Sequence, residues 1–150
     1  MPGLPNSALP DPMRQPQFYA SVAGKRLIAW IVDLVLVVIV CIAVLPLTGF
    51  LGIFFWPTML LVIGFAYRVA TLAMGSATWG MRFAGIELRD AAGARFDLSM
   101  AFMHTVGYSI SFAFPILQVI SIVLMLTSAR GQGLTDVMLG TVAINRRAMA

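Results

Sequence analysis

A carboxylate, Asp33, lies inside the first long apolar run of the sequence, residues 27–47, where a charged group could do chemistry. The run is long enough to cross a bilayer as one helix, and placing a carboxylate at that depth costs at least about 2.5 kcal/mol. A cationic partner is therefore expected. Arg26 precedes Asp33 by seven positions, which puts both residues on one helical face, about 10 Å apart along the axis.

The second candidate partner is Arg68, which lies in the second apolar run, residues 53–74. Asp33 is six residues from the start of the first run, and Arg68 is six residues from the end of the second. If the two helices are antiparallel neighbours, both charges lie at the same depth. We therefore predict a direct contact between Asp33 and Arg68. Snorkelling of the long Arg68 side chain toward the interface is the alternative.

Two roles for Asp33 follow from this placement. A titrating Asp33 would couple its protonation to the movement of a cation or a solute, because ionisable residues inside a membrane often mark such pathways. A permanently ionised Asp33 would instead hold two helices together through Arg26 or Arg68, and removing one partner of such a buried pair costs about 3 to 5 kcal/mol. Arg26 itself is either an interfacial positive charge or a ligand contact.

Polar residues form a stripe in the third apolar run, residues 98–127. Helical spacings of three and four residues place its members on one face. These members are His104, Tyr108, Ser111, Pro115 and Gln118. Such a face should point into a helix bundle or toward an aqueous cavity, because lipid does not solvate it. The stripe therefore either hydrogen-bonds neighbouring helices or lines the path of a solute.

The composition is that of an integral membrane protein, since 60% of the 150 residues are hydrophobic and 11% are charged. The basic residues collect at the ends of the apolar runs, as cytoplasmic flanks do, and form no nucleic-acid-binding patch. One cysteine, Cys41, and one histidine, His104, are too few for a disulfide or a His/Cys metal centre. No nucleophile has a matching base, and we expect neither enzymatic activity nor a cofactor.

Three segments divide the sequence. Residues 1–17 contain five prolines and no apolar run, which predicts a disordered tail. Residues 18–147 contain all the apolar runs and form the transmembrane domain, and residues 148–150 form a C-terminal tail. The protein is therefore expected to have one membrane domain and short tails.

The connections between apolar runs carry β-type patterns. Residues 85–89 alternate apolar and polar side chains, Gly93 lies in a turn, and residues 95–98 fit a returning strand, which predicts a hairpin. Residues 140–144 form another short β-type run, which could pair with residues 85–89 in a small sheet. Residues 79–84 fit an interfacial segment.

These elements predict an all-α membrane protein with a small cytoplasmic β-hairpin or sheet. The helical bundle has three spans, or two spans plus a helical hairpin bent near Pro115 within residues 98–127. An even number of crossings keeps the arginine clusters and both strand-like pieces on one side, so we favour the bent hairpin. The N-terminus and the C-terminus are then both cytoplasmic.

The chain resembles the RDD family of small membrane proteins over residues 18–147. The arginine and the first aspartate for which the family is named match Arg26 and Asp33. The second aspartate matches Asp136, which precedes Gly140-Thr141 and a short β-type run. Asp136 is expected to cap a short helix beginning near residue 137 or to pair with a cytoplasmic arginine.

A middle motif of the family is similar as well, since Thr78, Gly80 and Arg82 match its pattern. Two positions depart from the family. Met81 stands where the family usually has lysine, and Thr135 stands where many members have a histidine before the second aspartate. No His–Asp pair is therefore expected at that position.

The resemblance implies a part in the transport of unidentified ligands. We therefore hypothesise a transport-related protein of the bacterial inner membrane in which Asp33 couples proton or cation movement. Its partners would be the lipid bilayer and either further copies of the chain or other membrane proteins, because so few helices cannot enclose a solute route alone. The alternative is a structural or assembly factor that binds other membrane proteins and moves no solute.

Overall fold

Six α-helices and one two-stranded sheet make up the regular structure in residues 8–146, which are the residues that the computed structural model describes. The helices are α1 (Val22–Val44), α2 (Trp56–Gly75), α3 (Trp79–Ala84), α4 (Leu98–Ala113), α5 (Pro115–Thr127) and α6 (Leu134–Leu139). The strands are β1 (Ile86–Arg89) and β2 (Val142–Asn145). Short 3-10 helices cover Pro16–Phe18, Leu45–Thr48 and Leu51–Ile53.

The helices α1 and α2 are long and apolar enough to cross a membrane. Exposed residues of α1, such as Leu27, Ile31 and Val35, are apolar, as a surface that faces lipid requires. The two 3-10 turns between α1 and α2 reverse the chain, and Gly49 takes a left-handed conformation (φ 63°) where the first turn ends. Pro57 lies in the first turn of α2, where its missing N–H has no helical partner to lose.

The third apolar run is broken into α4 and α5, which are bent by 116° at Pro115. Phe114 takes an extended conformation (φ −116°, ψ 102°) because a residue before proline is disfavoured in a helix. The helices have 16 and 13 residues, whereas one crossing needs about 20. The membrane protein therefore has two full-length candidate spans plus the bent pair, and it fits the three-span architecture if the pair crosses as one span or the two-span architecture if the pair is a bent hairpin.

The sheet joins two segments that are distant in sequence. β1 and β2 are antiparallel, with Ile86 opposite Asn145 and Arg89 opposite Val142. This pairing confirms the predicted association of residues 85–89 with residues 140–144. The predicted local hairpin is wrong, because residues 95–98 form no strand.

Asp97 explains why the hairpin partner does not form. Its side chain accepts a hydrogen bond from the Met100 backbone N–H at 2.8 Å, which caps α4 and makes Leu98 its first residue. The turn before it is closed by Asp90, whose side chain accepts from the backbone N–H groups of Ala92 and Ala94 at 2.9 Å each. Two aspartates thus stabilise a turn and a helix start instead of a returning strand.

The two faces of the sheet are buried differently. Ile86, Leu88 and Ala143 belong to the main core, together with residues of α1, α2, α3 and α4. Val142 and Ile144 pack against Tyr19 on the other face, and Leu9 and Phe18 complete that smaller cluster. The N-terminal segment therefore covers a face of the sheet that would otherwise expose β-branched residues.

Residues 8–17 belong to the predicted disordered tail and make hydrogen bonds with later parts of the chain. The Tyr19 hydroxyl donates to the Pro10 carbonyl at 2.8 Å, and the Asn145 side-chain amide donates to the Gln17 carbonyl at 2.8 Å. Burial of nearby aromatic residues against the sheet holds this segment in place. The rest of the predicted tail, residues 1–7, and the last four positions, residues 147–150, lie outside the described residues.

Candidate functional site

One cavity of about 490 Å³ lies between α1, α4, α5 and α6 and brings the sequence-predicted candidates together. Its walls contain all four charged candidates and four members of the polar stripe. They are Arg26, Asp33, Arg68, Asp136, His104, Tyr108, Ser111 and Gln118. The bend at Pro115 places Gln118 on α5, whereas His104, Tyr108 and Ser111 lie on α4, and all four side chains line the same cavity.

Asp136 is fully buried and forms an ion pair with Arg26. The Arg26 guanidinium nitrogen lies 2.6 Å from one carboxylate oxygen, and His104 Nε2 lies 2.8 Å from the other. Arg26 therefore pairs with Asp136 and not with Asp33, seven residues away on its own helix. A His–Asp pair does exist, but its histidine comes from α4 and not from position 135, which holds threonine.

The backbone around Asp136 explains the spacing of the Asp–Gly–Thr pattern. Asp136 accepts from the Gly133 backbone N–H at 3.1 Å, so it caps its own helix, α6, which begins three residues earlier than residue 137. Gly140 ends α6 in a left-handed conformation (φ 72°). This turn lets the Thr141 hydroxyl donate to Asp136 at 2.7 Å. Both predicted roles, capping and pairing, belong to this one carboxylate.

Electrostatics at Asp136 favour the carboxylate anion. Burial raises the pKa of Asp136, but the positive charge of Arg26 and the hydrogen bonds with His104 and Thr141 outweigh it, so the pKa lies well below its usual range. Asp136 is therefore ionised at neutral pH and balances the charge of Arg26. The cluster of Arg26, His104, Asp136 and Thr141 joins α1, α4, α6 and the start of β2.

Asp33 has three neutral hydrogen-bond donors. It accepts from the Tyr67 hydroxyl at 2.7 Å, the Thr78 hydroxyl at 2.6 Å and the Gly80 backbone N–H at 2.8 Å. The predicted contact with Arg68 is wrong, because no ion pair joins the two side chains. The physical reason is α3, which folds back against α1 and presents its N-terminal donors to the carboxylate, where a negative charge is favoured.

Gly80 allows the close approach of α3 to α1. A Cβ atom at this position would overlap the backbone carbonyl oxygen of Ala29 and crowd the Asp33 carboxylate. Thr78 caps α3 by accepting from the Met81 backbone N–H at 3.2 Å while donating to Asp33. The Thr-x-Gly motif thus supplies a cap and a hydroxyl donor at its first position and the space for a helix contact at its third.

Arg68 has no carboxylate partner in residues 8–146. Its Nε atom is buried without a hydrogen-bond acceptor, and its guanidinium carbon lies 4.0 Å from the centre of the Tyr108 ring, a cation–π contact. Arg68 also lines a second cavity of about 460 Å³ between α1, α2 and α4, which shares Trp30, Asp33 and Tyr108 with the first. The guanidinium therefore lies where the two cavities meet.

The sequence reasoning missed several side chains that complete the two carboxylate sites. Tyr67 precedes Arg68 and was not expected to bind Asp33. Thr78 and Thr141 belonged to motifs, but no donor role was assigned to either. A signal was present, because each threonine lies within two residues of a glycine at a chain reversal, where hydroxyls often satisfy local acceptors.

The RDD family profile matches residues 20–140 of this chain. The chain belongs to the RDD family. Of the three residues whose sequence pattern resembles the one that names the family, Arg26 and Asp136 pair with each other, and Asp33 binds the start of α3. No match is found among curated proteins or among solved structures. Within residues 8–146 of this RDD protein, no group of three or more His, Cys, Asp or Glu side chains is arranged to hold a metal ion.

Proposed function

We propose that this RDD protein is a transport-related membrane protein whose solute occupies the cavity between α1, α4, α5 and α6. The observation that carries the proposal is the convergence of Arg26, Asp33, Arg68, His104 and Asp136 on one cavity of drug-like size, about 490 Å³. Ionisable groups are rare in membrane helices and mark pathways when they face a common cavity. A protein that only anchored itself in the membrane would not need these ionisable side chains to meet at one cavity.

Asp33 offers a physical route for coupling. Its carboxylate accepts hydrogen bonds from three donors, which anchor α1 to α2 and to the start of α3. A proton on one carboxylate oxygen would remove an acceptor site and turn that oxygen into a donor. A proton on the oxygen that accepts from Tyr67 and Gly80 would weaken one of these two bonds, and a proton on the other oxygen would weaken the bond to Thr78. Protonation of Asp33 is thereby linked to a loosening of α1 from α3 or from α2.

The test of transport uses purified protein reconstituted in sealed vesicles, with flux of a panel of ions and small solutes followed under an imposed pH gradient. Asp33→Asn should abolish flux and leave the amount of folded protein unchanged. Asp11→Asn is the matched control, because Asp11 is a carboxylate outside the cavity whose side chain accepts from the backbone N–H groups of Met13 and Arg14. Full flux in Asp33→Asn protein would reject the coupling role.

Oligomerisation is part of the proposal, because two spans and one bent pair are too few helices to enclose a route. A homo-oligomer in mild detergent supports transport. The alternative function, a structural or assembly factor for other membrane proteins, would replace it if a foreign membrane protein copurifies in stoichiometric amount and no solute in the panel moves. The same detergent-purified protein therefore distinguishes a transporter from an assembly factor.

We also place the protein in the bacterial inner membrane with a cytoplasmic N-terminus. The support is the flanking positive charge, since Lys25, Arg26, Arg82, Arg89 and Arg95 all lie near helix ends or in connections. An alkaline phosphatase reporter fused after Ala150 tests the side of the C-terminus. An inactive reporter fits an even number of crossings, whereas activity there would require an odd number.

A further inference from the structure

The cavity holds two arginines and two aspartates, but only one arginine and one aspartate are in direct contact as an ion pair. Arg26 is neutralised by Asp136, and Asp33 is satisfied by three neutral donors on α2 and α3. Arg68 is then the cation without a carboxylate in contact among the described residues. A lone guanidinium in a membrane helix is costly unless it reaches water, lipid headgroups or an anion.

We propose that Arg68 binds the anionic head of an amphipathic organic anion, a proposal that rests on and deepens the function proposed above. The Tyr108 ring covers one face of the guanidinium at 4.0 Å. The Nε donor is buried without a hydrogen-bond acceptor, and no carboxylate of residues 8–146 forms an ion pair with the guanidinium. A guanidinium edge matches two oxygens of a carboxylate or phosphate group, which accept parallel hydrogen bonds.

The surroundings of Arg68 determine the rest of the ligand. Trp30 and Phe112 stack with ring centres 5.9 Å apart beside the site, and Ile122 and Leu126 of α5 continue the apolar wall. A volume of about 490 Å³ holds a ligand much larger than a bare inorganic anion. The ligand class is therefore an anionic head on an apolar body, which describes a free organic acid and also an anionic lipid.

Binding is tested with 4-phenylbutanoate and its neutral analogue 4-phenylbutanamide, titrated calorimetrically into purified protein in an uncharged detergent. The carboxylate should bind at least about tenfold more tightly than the amide, since a hydrogen-bonded charge is lost in the amide. Arg68→Gln should remove this preference. Arg95→Gln, which changes an exposed arginine outside the cavity, should keep it.

Two further variants keep the test decisive if Arg68→Gln protein does not fold. Arg68→Lys retains the charge but loses the planar edge, so the preference for carboxylate should fall severalfold. Leu126→Trp fills the apolar wall and should weaken both compounds together while Arg68 is unchanged. Equal affinity of the unaltered protein for acid and amide would overturn the proposal, as would an unchanged preference in a folded Arg68 variant.

Repeating the titration in lipid nanodiscs distinguishes the two possible ligands, a free organic acid and an anionic lipid. Competition by phosphatidylglycerol, and not by phosphatidylcholine, identifies a lipid headgroup at Arg68, whereas equal binding in both nanodiscs identifies a free acid. These titrations need no gradient, so they can fail independently of the flux assay. Preferential binding of the carboxylate without any flux would support the Arg68 site and reject transport. Flux without any preference for the carboxylate would support transport and reject the Arg68 site.

Discussion

The two aspartates that line the cavity, Asp33 and Asp136, are held by opposite kinds of partner. Asp136 lies against a guanidinium and an imidazole, and its charge is matched within the cluster. Asp33 accepts from two hydroxyls and a backbone N–H, and none of these donors carries a formal charge. At Asp136 the negative charge is therefore neutralised by a cation in contact. At Asp33 it is not, so a negative charge stays on one wall of the cavity and the positive charge of Arg68 stays on another.

This difference separates a rigid part of the molecule from a part that can respond. Breaking the Arg26–Asp136 pair leaves a buried ion without compensation. Loosening Asp33 costs only hydrogen bonds to neutral donors, each worth about 1.5 to 3 kcal/mol when the acceptor is charged. Movements linked to a proton or a ligand are therefore expected at α3 and not at α6.

Exchanging the charges of Asp33 and Arg68 should have the largest effect on folding, and it tests whether the two side chains are direct partners. In the double variant Asp33→Arg with Arg68→Asp, the new arginine would face the Gly80 N–H group, and the new aspartate would lie near the Tyr108 ring, whose face is negative. We expect it to be no better folded than the worse single variant. Size-exclusion chromatography with a fluorescent fusion measures the amount of folded protein. Clear recovery of folded protein in the double variant would instead support a direct contact between Asp33 and Arg68.

Arg26→Gln should produce the next largest loss. Asp136 would stay buried without its cation, and removal of one partner from such a pair costs about 3 to 5 kcal/mol. The melting temperature in detergent should fall well below that of Arg95→Gln, the control in which an exposed arginine is changed. The double variant Arg26→Gln with Asp136→Asn should recover part of the loss, and equal melting of Arg26→Gln and the control would contradict a closed ion pair.

Gly80→Ala should destabilise the Asp33 site by a smaller amount. The added methyl group overlaps the Ala29 carbonyl oxygen, and an overpacked contact costs about 1 to 3 kcal/mol. Gly24→Ala is the matched control on α1, because a Cβ there meets nothing within 4 Å. That control should be neutral or stabilising, since alanine favours a helix by about 0.5 to 1 kcal/mol over glycine. Similar melting temperatures for the two variants would show that α1 and α3 are not closely packed at Gly80.

The sequence contained the elements and the charged residues but not their partners. The proline at position 115 predicted the bend, and alternation in residues 85–89 and 140–144 predicted the sheet. Depth along a helix was the argument for joining Asp33 to Arg68, and depth ignores segments that fold back from outside the apolar runs. The helix α3 brings Gly80 to Asp33, and the loop before α6 brings Asp136 to Arg26. Helical periodicity describes one helix at a time, so these contacts could not be derived from it.

The smallest expected effect is the pH dependence of the Asp136 contribution. Its pKa is lowered in the folded state, so the unfolded chain takes up this proton first as the pH falls. The stability from ionised Asp136 is fully present above the ordinary aspartate pKa, about 3.9, and is lost only as the pH falls below it. The measurement compares melting temperatures with and without Asp136→Asn.

Both proteins in that comparison carry His104→Gln, because His104 contacts Asp136 and would titrate as well. Arg26, the other charged group of the cluster, stays protonated throughout. The melting difference should be constant from pH 8 to about pH 5 and should shrink below about pH 4. A difference that already shrinks between pH 7 and pH 5 would mean that Asp136 is not held as an anion by Arg26. Asp136 and Asp33 would then not differ in whether a cation holds the carboxylate.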